Sequence, residues 1–130
     1  MTCAATADFA AVELVHLLEM STQAQLDELD FGVIGFDAEG LVRCYNIVES
    51  KAAGLSRERV VGEPLFTVVA PCMNNFLVAQ RFEGAVEGGS VLDETIGYVL
   101  TLRMRPVKVR LRLLSSPGMT LRYVLVQRTV

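Results

Sequence analysis

Cys72 is the residue whose chemistry the sequence constrains most tightly. It follows Ala70-Pro71, and a proline fixes its own φ angle while pushing the preceding residue toward extended geometry. The thiol therefore lies on a stiffened, irregular segment that sets its position, which suits covalent attachment of a ligand. A small buried side chain, the usual role of a free cysteine, explains the same pattern. The spacing alone leaves both interpretations open.

Tyr45 and Glu49 are four residues apart around a predicted helix start, so both can face the same side. A carboxyl on the apolar side of a helix tends to hold its proton and can then donate a hydrogen bond. A phenol beside a neutral carboxylic acid would offer two O–H donors to one anionic oxygen. The alternative is a capping box, in which Glu49 reaches back to the backbone of Asn46. The local pattern does not decide between them.

Composition excludes several other kinds of site. The three cysteines, Cys3, Cys44 and Cys72, are too widely spaced for a zinc site or a disulfide framework, so we expect no metal. The single histidine, His16, lies in a predicted N-terminal helix, which makes a cysteine–histidine enzyme a poor interpretation. We expect no enzyme activity. The net charge of −3 indicates no nucleic-acid partner. No apolar stretch is long enough to span a membrane and no secretory signal is evident, so we expect a cytoplasmic protein.

Charge is distributed unevenly along the chain. Residues 1–30 contain six acidic residues and no Lys or Arg, whereas residues 103–130 contain seven basic residues and no acid. Two solvated faces of opposite sign would explain this distribution. Docking of the acidic N-terminal segment on the basic strands is the second interpretation.

The pattern of apolar residues predicts an α+β domain with a five-stranded antiparallel sheet and helices packed on one face. Helices are expected over residues 7–20, over a short segment containing Leu26 and Leu29, over residues 46–54, and from Asn74 or Asn75 to Gly88-Gly89. A hairpin over residues 31–45 precedes the middle helices, residues 55–72 are predicted to be irregular, and three strands fill residues 96–128. We divide the chain into an N-terminal helical segment, residues 1–30, and a ligand-binding unit, residues 31–130, which together form one domain.

The sequence resembles the photoactive yellow protein family over roughly residues 23–130. Tyr45, Glu49 and the segment Ala70-Pro71-Cys72 form the most specific part of this resemblance. The other matching stretches are Gln25-Leu26-Asp27, Phe31-Gly32-Val33-Ile34, Val61-Gly62, Phe82-Glu83-Gly84-Ala85-Val86, Met104-Arg105-Pro106-Val107-Lys108-Val109 and Val126-Gln127-Arg128.

The resemblance implies a PAS fold with helices on one sheet face and an N-terminal helical cap on the other. It implies that 4-hydroxycinnamic acid (p-coumaric acid) is bound as a thioester on Cys72 and that Tyr45 and Glu49 hydrogen-bond its phenolate oxygen. Light would isomerise this chromophore, a proton would move from Glu49 to it, and the cap would loosen. The remaining residues expected around the chromophore are Ile34, Ala53, Leu55, Val69, Ala70, Leu100 and Met104.

Some positions depart from the family pattern. The family usually has a threonine where this chain has Ala53 and an arginine where it has Leu55, and aromatic residues are replaced by Leu65, Leu100 and Leu102. These departures favour a second hypothesis, a PAS-like ligand-sensing or protein-interaction module that has lost the usual photocycle. Under either hypothesis we expect an unidentified downstream signalling protein as partner, no nucleic acid, no membrane, and a monomer or weak dimer.

Overall fold

The frame of the protein is one five-stranded antiparallel sheet with the strand order β2-β1-β5-β4-β3. The computed structural model describes residue 9, residues 14–101 and residues 106–128. The strands are β1 (Gly32–Phe36), β2 (Val42–Tyr45), β3 (Leu92–Leu100), β4 (Val107–Ser115) and β5 (Arg122–Arg128). The sheet predicted from alternation is therefore confirmed, and the hairpin β1–β2 joins the later strands through the β1–β5 pair.

Both faces of the sheet are covered by apolar side chains. Along β5, Val124 and Val126 belong to one buried cluster, whereas Tyr123 and Leu125 belong to another. Because successive strand residues point to opposite faces, the two clusters lie on opposite sides of the sheet. The first cluster contains Val69, Met73, Val78 and Phe82 from the middle of the chain, and the second contains Leu14, Leu18, Leu26 and Leu29 from the N-terminal segment.

The helices are α1 (Leu14–Met20), α2 (Gln23–Asp27), α3 (Ile47–Ala53), α4 (Arg57–Val60) and α5 (Ala79–Gly88). Helix α3 matches the prediction, with Asn46 as N-cap and Gly54 in the left-handed conformation at its end. The segment predicted to be irregular contains α4, a π-helical turn at Leu65–Val69 and a 3₁₀ turn at Pro71–Met73. No helix among the described residues is long and apolar enough to cross a lipid bilayer.

The start of α5 was predicted wrongly. The helix begins at Ala79 instead of Asn74 or Asn75, because the Asn75 side chain accepts hydrogen bonds from the backbone of Leu77 and Val78 and forms a separate turn. Phe76, which lies before the helix begins, is 70% exposed.

Phe9, in the N-terminal segment, contacts two of the basic residues of β4. Arg112 donates a hydrogen bond to the Phe9 carbonyl, and the Arg110 guanidinium lies over the Phe9 ring, 5.6 Å from its centroid. Arg112 also forms a two-pronged ion pair with Asp93 and is only 5% exposed, so it is not part of a solvated face. Docking of the N-terminal segment on the basic strands was one of the two interpretations, and among the described residues these contacts use the Phe9 carbonyl and ring. Asp8 and Glu13 lie outside the described residues.

Candidate functional site

Cys72 lies in the 3₁₀ turn Pro71–Met73, which follows directly on the π-helical turn. Its thiol is free and the residue is half-buried. The Tyr98 hydroxyl donates a 2.5 Å hydrogen bond to the Cys72 carbonyl, and the Asn75 side chain donates to the Tyr98 hydroxyl at 2.6 Å. The backbone of Cys72 is thus held by β3, while its thiol makes no disulfide bond.

Tyr45 ends β2 and is 1% exposed. Burial raises the pKa of its phenol, and the nearby Glu49 carboxylate raises it further, so this hydroxyl stays protonated. No hydrogen bond between the described residues uses the Tyr45 hydroxyl. It is therefore a free O–H donor at the edge of an apolar cluster.

Glu49 lies in the first turn of α3, where it is 1% exposed. Both of its carboxylate oxygens accept hydrogen bonds from Arg128, Oε1 from Nη1 at 2.8 Å and Oε2 from Nη2 at 3.1 Å. The capping-box alternative is wrong for this side chain, because the Asn46 backbone N–H donates to the Val33 carbonyl instead. The expected pair of free donors is also not formed, since only Tyr45 has a free hydroxyl.

The electrostatics of Glu49 follow from two opposing effects. Burial raises the pKa of the carboxyl above its ordinary value, and the Arg128 guanidinium beside it lowers that pKa. The forked geometry, with one N–H donor for each oxygen, matches a carboxylate paired with a guanidinium. The site therefore contains a cation that sequence analysis did not assign to it.

Asn46 fixes the position of both Tyr45 and Glu49. It is fully buried, and its Oδ1 accepts hydrogen bonds from the backbone N–H groups of Val33 and Glu49. Its Nδ2 donates to the carbonyls of Leu26 and Phe31. One side chain thus joins α2, β1 and α3, and all four of its hydrogen-bonding positions are used.

Gly32 provides the space that Glu49 occupies. A Cβ atom added at Gly32 would lie 2.1 Å from Glu49 Oε1 and 3.1 Å from Glu49 Cβ. The close approach of the buried carboxylate, and not an unusual backbone angle, therefore requires glycine at this position.

We expect Gly32→Ala to displace the Glu49 carboxylate and to lower the free energy of unfolding by about 1–3 kcal/mol, the usual cost of overpacking. Urea unfolding of the ligand-free protein measures this change. Gly97→Ala is the matched control, because an added Cβ at Gly97 has no neighbour within 4 Å. Equal effects of the two substitutions would show that the space beside Gly32 is not needed.

Most of the other predicted residues meet in one apolar cluster. Ile34, Tyr45, Val69, Ala70 and Leu100 are buried members of it, and Leu55 and Cys72 pack against it. Ala53 is buried at the end of α3 but does not belong to this cluster. Met104 lies outside the described residues. The structure thus brings Cys72 and Tyr45 together at the same apolar cluster.

Sequence analysis missed Arg128, Tyr98 and Asn75 as site residues. Arg128 could have been found from alternation, because it lies on the same face of β5 as Val124 and Val126. For the polar contacts of Tyr98 and Asn75 there was no local signal, because Tyr98 and Cys72 are 26 residues apart in the chain.

Other kinds of site have little support in the described part of the chain. A surface groove between the β1–β2 turn and α5, with Phe36, Phe66 and Phe82 in its wall, contains none of the predicted residues. No group of three or more His, Cys, Asp or Glu side chains among the described residues is placed to hold a metal ion.

Comparisons with known proteins identify the family and agree with the fold. The family model described as PAS fold matches residues 21–129. The photoactive yellow protein of Rhodothalassium salexigens is 34% identical over 90 residues, which cover 69% of this chain and 71% of that protein. The photoactive yellow protein of Halochromatium salexigens is 31% identical over 105 residues, which cover 81% of this chain and 83% of that protein.

Among solved structures, the photoactive yellow protein domain from the sensor histidine kinase Ppr of Rhodospirillum centenum superposes with a TM-score of 0.79. It is 32% identical, and the match covers 87% of this chain and 98% of that domain. A PAS domain from the RpfR quorum-sensing receptor of Cronobacter turicensis has a TM-score of 0.60 at 15% identity, covering 78% of this chain and 95% of that one, which shows the fold alone.

Proposed function

Because the chain belongs to the photoactive yellow protein family of PAS domains, we propose that it is a blue-light receptor that holds 4-hydroxycinnamic acid as a thioester on Cys72. The observation that carries the proposal is the arrangement of Cys72 and Tyr45. The half-buried free thiol of Cys72 packs against the apolar cluster to which Tyr45 belongs, and no hydrogen bond among the described residues uses the Tyr45 hydroxyl.

Attachment requires an activated derivative of the acid, such as a thioester or anhydride. The Cys72 sulfur forms a bond to the carbonyl carbon, and the bond from that carbon to the activating group breaks. The leaving group departs with the electron pair, and the thiol proton passes to it or to solvent. The hydrogen bond from Tyr98 to the Cys72 carbonyl fixes the backbone and so limits the directions in which the sulfur can point.

The residues present fit an aromatic acid at this position. The Tyr45 hydroxyl has no partner among the described residues and can donate to the phenolic oxygen of the ligand. Ile34, Val69, Ala70 and Leu100 are buried apolar members of the same cluster and would contact the ligand. When bound, the group supplies absorption of light and isomerisation of its double bond.

The signal leaves the site, in this proposal, through the N-terminal cap. Asn46 hydrogen-bonds to Glu49 on the ligand side and to the carbonyls of Leu26 and Phe31 on the cap side. A shift of α3 would therefore disturb the hydrogen bond that holds α2 in place. The recipient of the signal is an unidentified signalling protein. The chain acts as a monomer or weak dimer in the cytoplasm. There the free thiols of Cys44 and Cys72 remain reduced.

One observation favours a second function, a PAS-like module that senses another ligand without a photocycle. Both carboxylate oxygens of Glu49 are engaged by Arg128, so the usual proton donor is not free. The retained combination of Tyr45 and Cys72 favours the light receptor.

The two functions are separated by the light response of the reconstituted protein. After incubation with an activated 4-hydroxycinnamic acid, we expect an absorption band that light bleaches and that recovers in the dark. Cys72→Ala should lack it, whereas Cys44→Ala and Cys3→Ala should retain it. For Cys44, burial raises the pKa of the thiol to about 11, which makes it a poor nucleophile at neutral pH. A band that does not respond to light, or a colourless product, would favour the ligand sensor.

A further inference from the structure

We propose that the surface groove between the β1–β2 turn and α5 is a docking site for a partner protein. Its occupant is an extended segment in which a lysine or arginine stands next to an aromatic residue. The groove has a volume of about 430 Å³, which lies within the range of ligand-binding clefts. It contains none of the residues predicted to contact the ligand of Cys72, so the proposal does not depend on what that ligand is.

The wall of the groove supplies a preformed apolar surface. Phe36 and Phe82 are buried, with ring centroids 5.0 Å apart, and the half-buried Phe66 ring lies 5.4 Å from Phe36. Edge-to-face contacts hold the Phe36 ring against both neighbours, so the three rings keep their positions without a ligand. Val86 of α5 lines the same groove and is 49% exposed. An aromatic side chain of a partner would cover this apolar surface.

The rim of the groove is acidic. Four carboxylates and one guanidinium line it, namely Asp37, Glu39, Glu83, Glu87 and Arg122. Asp37 is paired with Arg43. The side chains of Glu39, Glu83 and Glu87 are exposed and have no ion-pair or hydrogen-bond partner among the described residues. Three unpaired carboxylates against one guanidinium give the groove a negative potential that attracts a cationic side chain.

Glu83 and Glu87 lie where a helix disfavours them. They are four residues apart on the same face of α5, where like charges repel. The last turn of α5 contains Glu87 and no basic residue, although negative charge at this end opposes the helix dipole. Arg81, on the same helix, is paired with Glu94 and does not relieve the repulsion. A lysine or arginine bound between the two carboxylates would relieve it, so α5 itself favours a cationic occupant.

The shape of the surface favours a chain segment over a compact small molecule. The groove adjoins a smaller depression beside the β4–β5 turn, and both are lined by Val86 and Arg122. Together they form a track along α5, which suits an extended peptide. The Arg122 guanidinium has no partner among the described residues and would donate to backbone carbonyls of that peptide.

The first experiment selects peptides from a random library on immobilised ligand-free protein. We expect enrichment of peptides in which lysine or arginine stands next to tryptophan, tyrosine or phenylalanine. The same selection on the double variant Glu83→Gln, Glu87→Gln should lose this enrichment. No enrichment on the wild type, or enrichment of acidic or uncharged peptides, would overturn the proposal.

The second experiment measures the Kd of a selected peptide by fluorescence anisotropy. We expect the Glu83→Gln, Glu87→Gln variant to bind at least about fivefold more weakly, because two surface ion pairs are lost. On the wild-type protein, replacing the basic residue of the peptide by glutamine, or its aromatic residue by alanine, should also weaken binding. Asp30→Asn with Glu58→Gln removes the same charge from exposed positions outside the groove and should bind as the wild type. Equal losses in the two double variants would overturn the proposal.

Two further measurements exclude simpler explanations. Urea unfolding should show that the Glu83→Gln, Glu87→Gln variant is at least as stable as the wild type, because the substitutions relieve repulsion on α5. Its weaker binding then does not come from unfolding. Sedimentation tests whether the chain binds itself, and self-association of the wild type that this variant abolishes would make a second copy the occupant and overturn the assignment to a partner protein.

Discussion

Replacing Arg128 with alanine is expected to lower the free energy of unfolding of the ligand-free protein by about 3–5 kcal/mol at neutral pH. The reason is that Glu49, 1% exposed, would be left as a buried carboxylate without its two hydrogen-bond donors. The wild-type pair itself contributes far less to the free energy of unfolding, because removing both charges from water costs free energy that offsets their attraction. The large effect arises because the substitution removes only one partner of the pair. Urea unfolding measures the change in the free energy of unfolding.

The pH dependence of this effect has a definite sign. Burial raises the pKa of Glu49 in the folded protein above its ordinary value, against the opposing effect of Arg128. Removing Arg128 raises that pKa further. Well below both values the carboxyl is protonated in the wild type and in the variant, so the difference in stability is small. It grows as the pH rises, because only the wild type stabilises the charged form.

Lys108→Ala is the control for this series, because Lys108 is exposed on the neighbouring strand. It should change stability by less than about 0.5 kcal/mol. A loss of stability in Arg128→Ala that is independent of pH, or that shrinks as the pH rises, would show that Glu49 is not the group affected.

Asn46→Ala is expected to lower the free energy of unfolding by about 3–4 kcal/mol. The substitution leaves the N–H groups of Val33 and Glu49 and the carbonyls of Leu26 and Phe31 without the partners they have in the fold. Unpaired buried polar groups and the loss of a helix N-cap both destabilise.

The expected loss of stability can be measured as a fall in the urea concentration at the midpoint of unfolding, with the dependence of the free energy on urea concentration unchanged. Asn74→Ala, at an exposed asparagine, should leave the midpoint nearly unchanged. If the two alanine variants unfolded at the same urea concentration, Asn46 could not be the junction of α2, β1 and α3.

The fold could be predicted from sequence where one local pattern decides the structure. The alternation Val109, Leu111, Leu113 predicts a strand with one buried face, and all three side chains are buried. Asn46 and Gly54 mark the two ends of α3 by their own conformational preferences. The five-stranded antiparallel sheet with its helices then agrees with the PAS fold that the family resemblance implies.

The remaining features depend on contacts between distant parts of the chain. Glu49 and Arg128 are 79 residues apart, and the pairing of β1 with β5, which no local pattern predicts, places the strand that carries Arg128 beside β1. The start of α5 was missed because the Asn75 side chain forms its own turn in competition with the helix. The sequence left open whether the basic strands are solvated or covered, because a strand pattern does not reveal that Asp93 and the Phe9 carbonyl cover Arg112.

The most direct test of Cys72 as the attachment residue is peptide mapping by mass spectrometry after incubation of the protein with an activated 4-hydroxycinnamic acid. The account predicts one 4-hydroxycinnamoyl group per chain, on the peptide that contains Cys72, released by hydroxylamine as expected for a thioester. Modification of Cys3 or Cys44 with Cys72 left unmodified would contradict it.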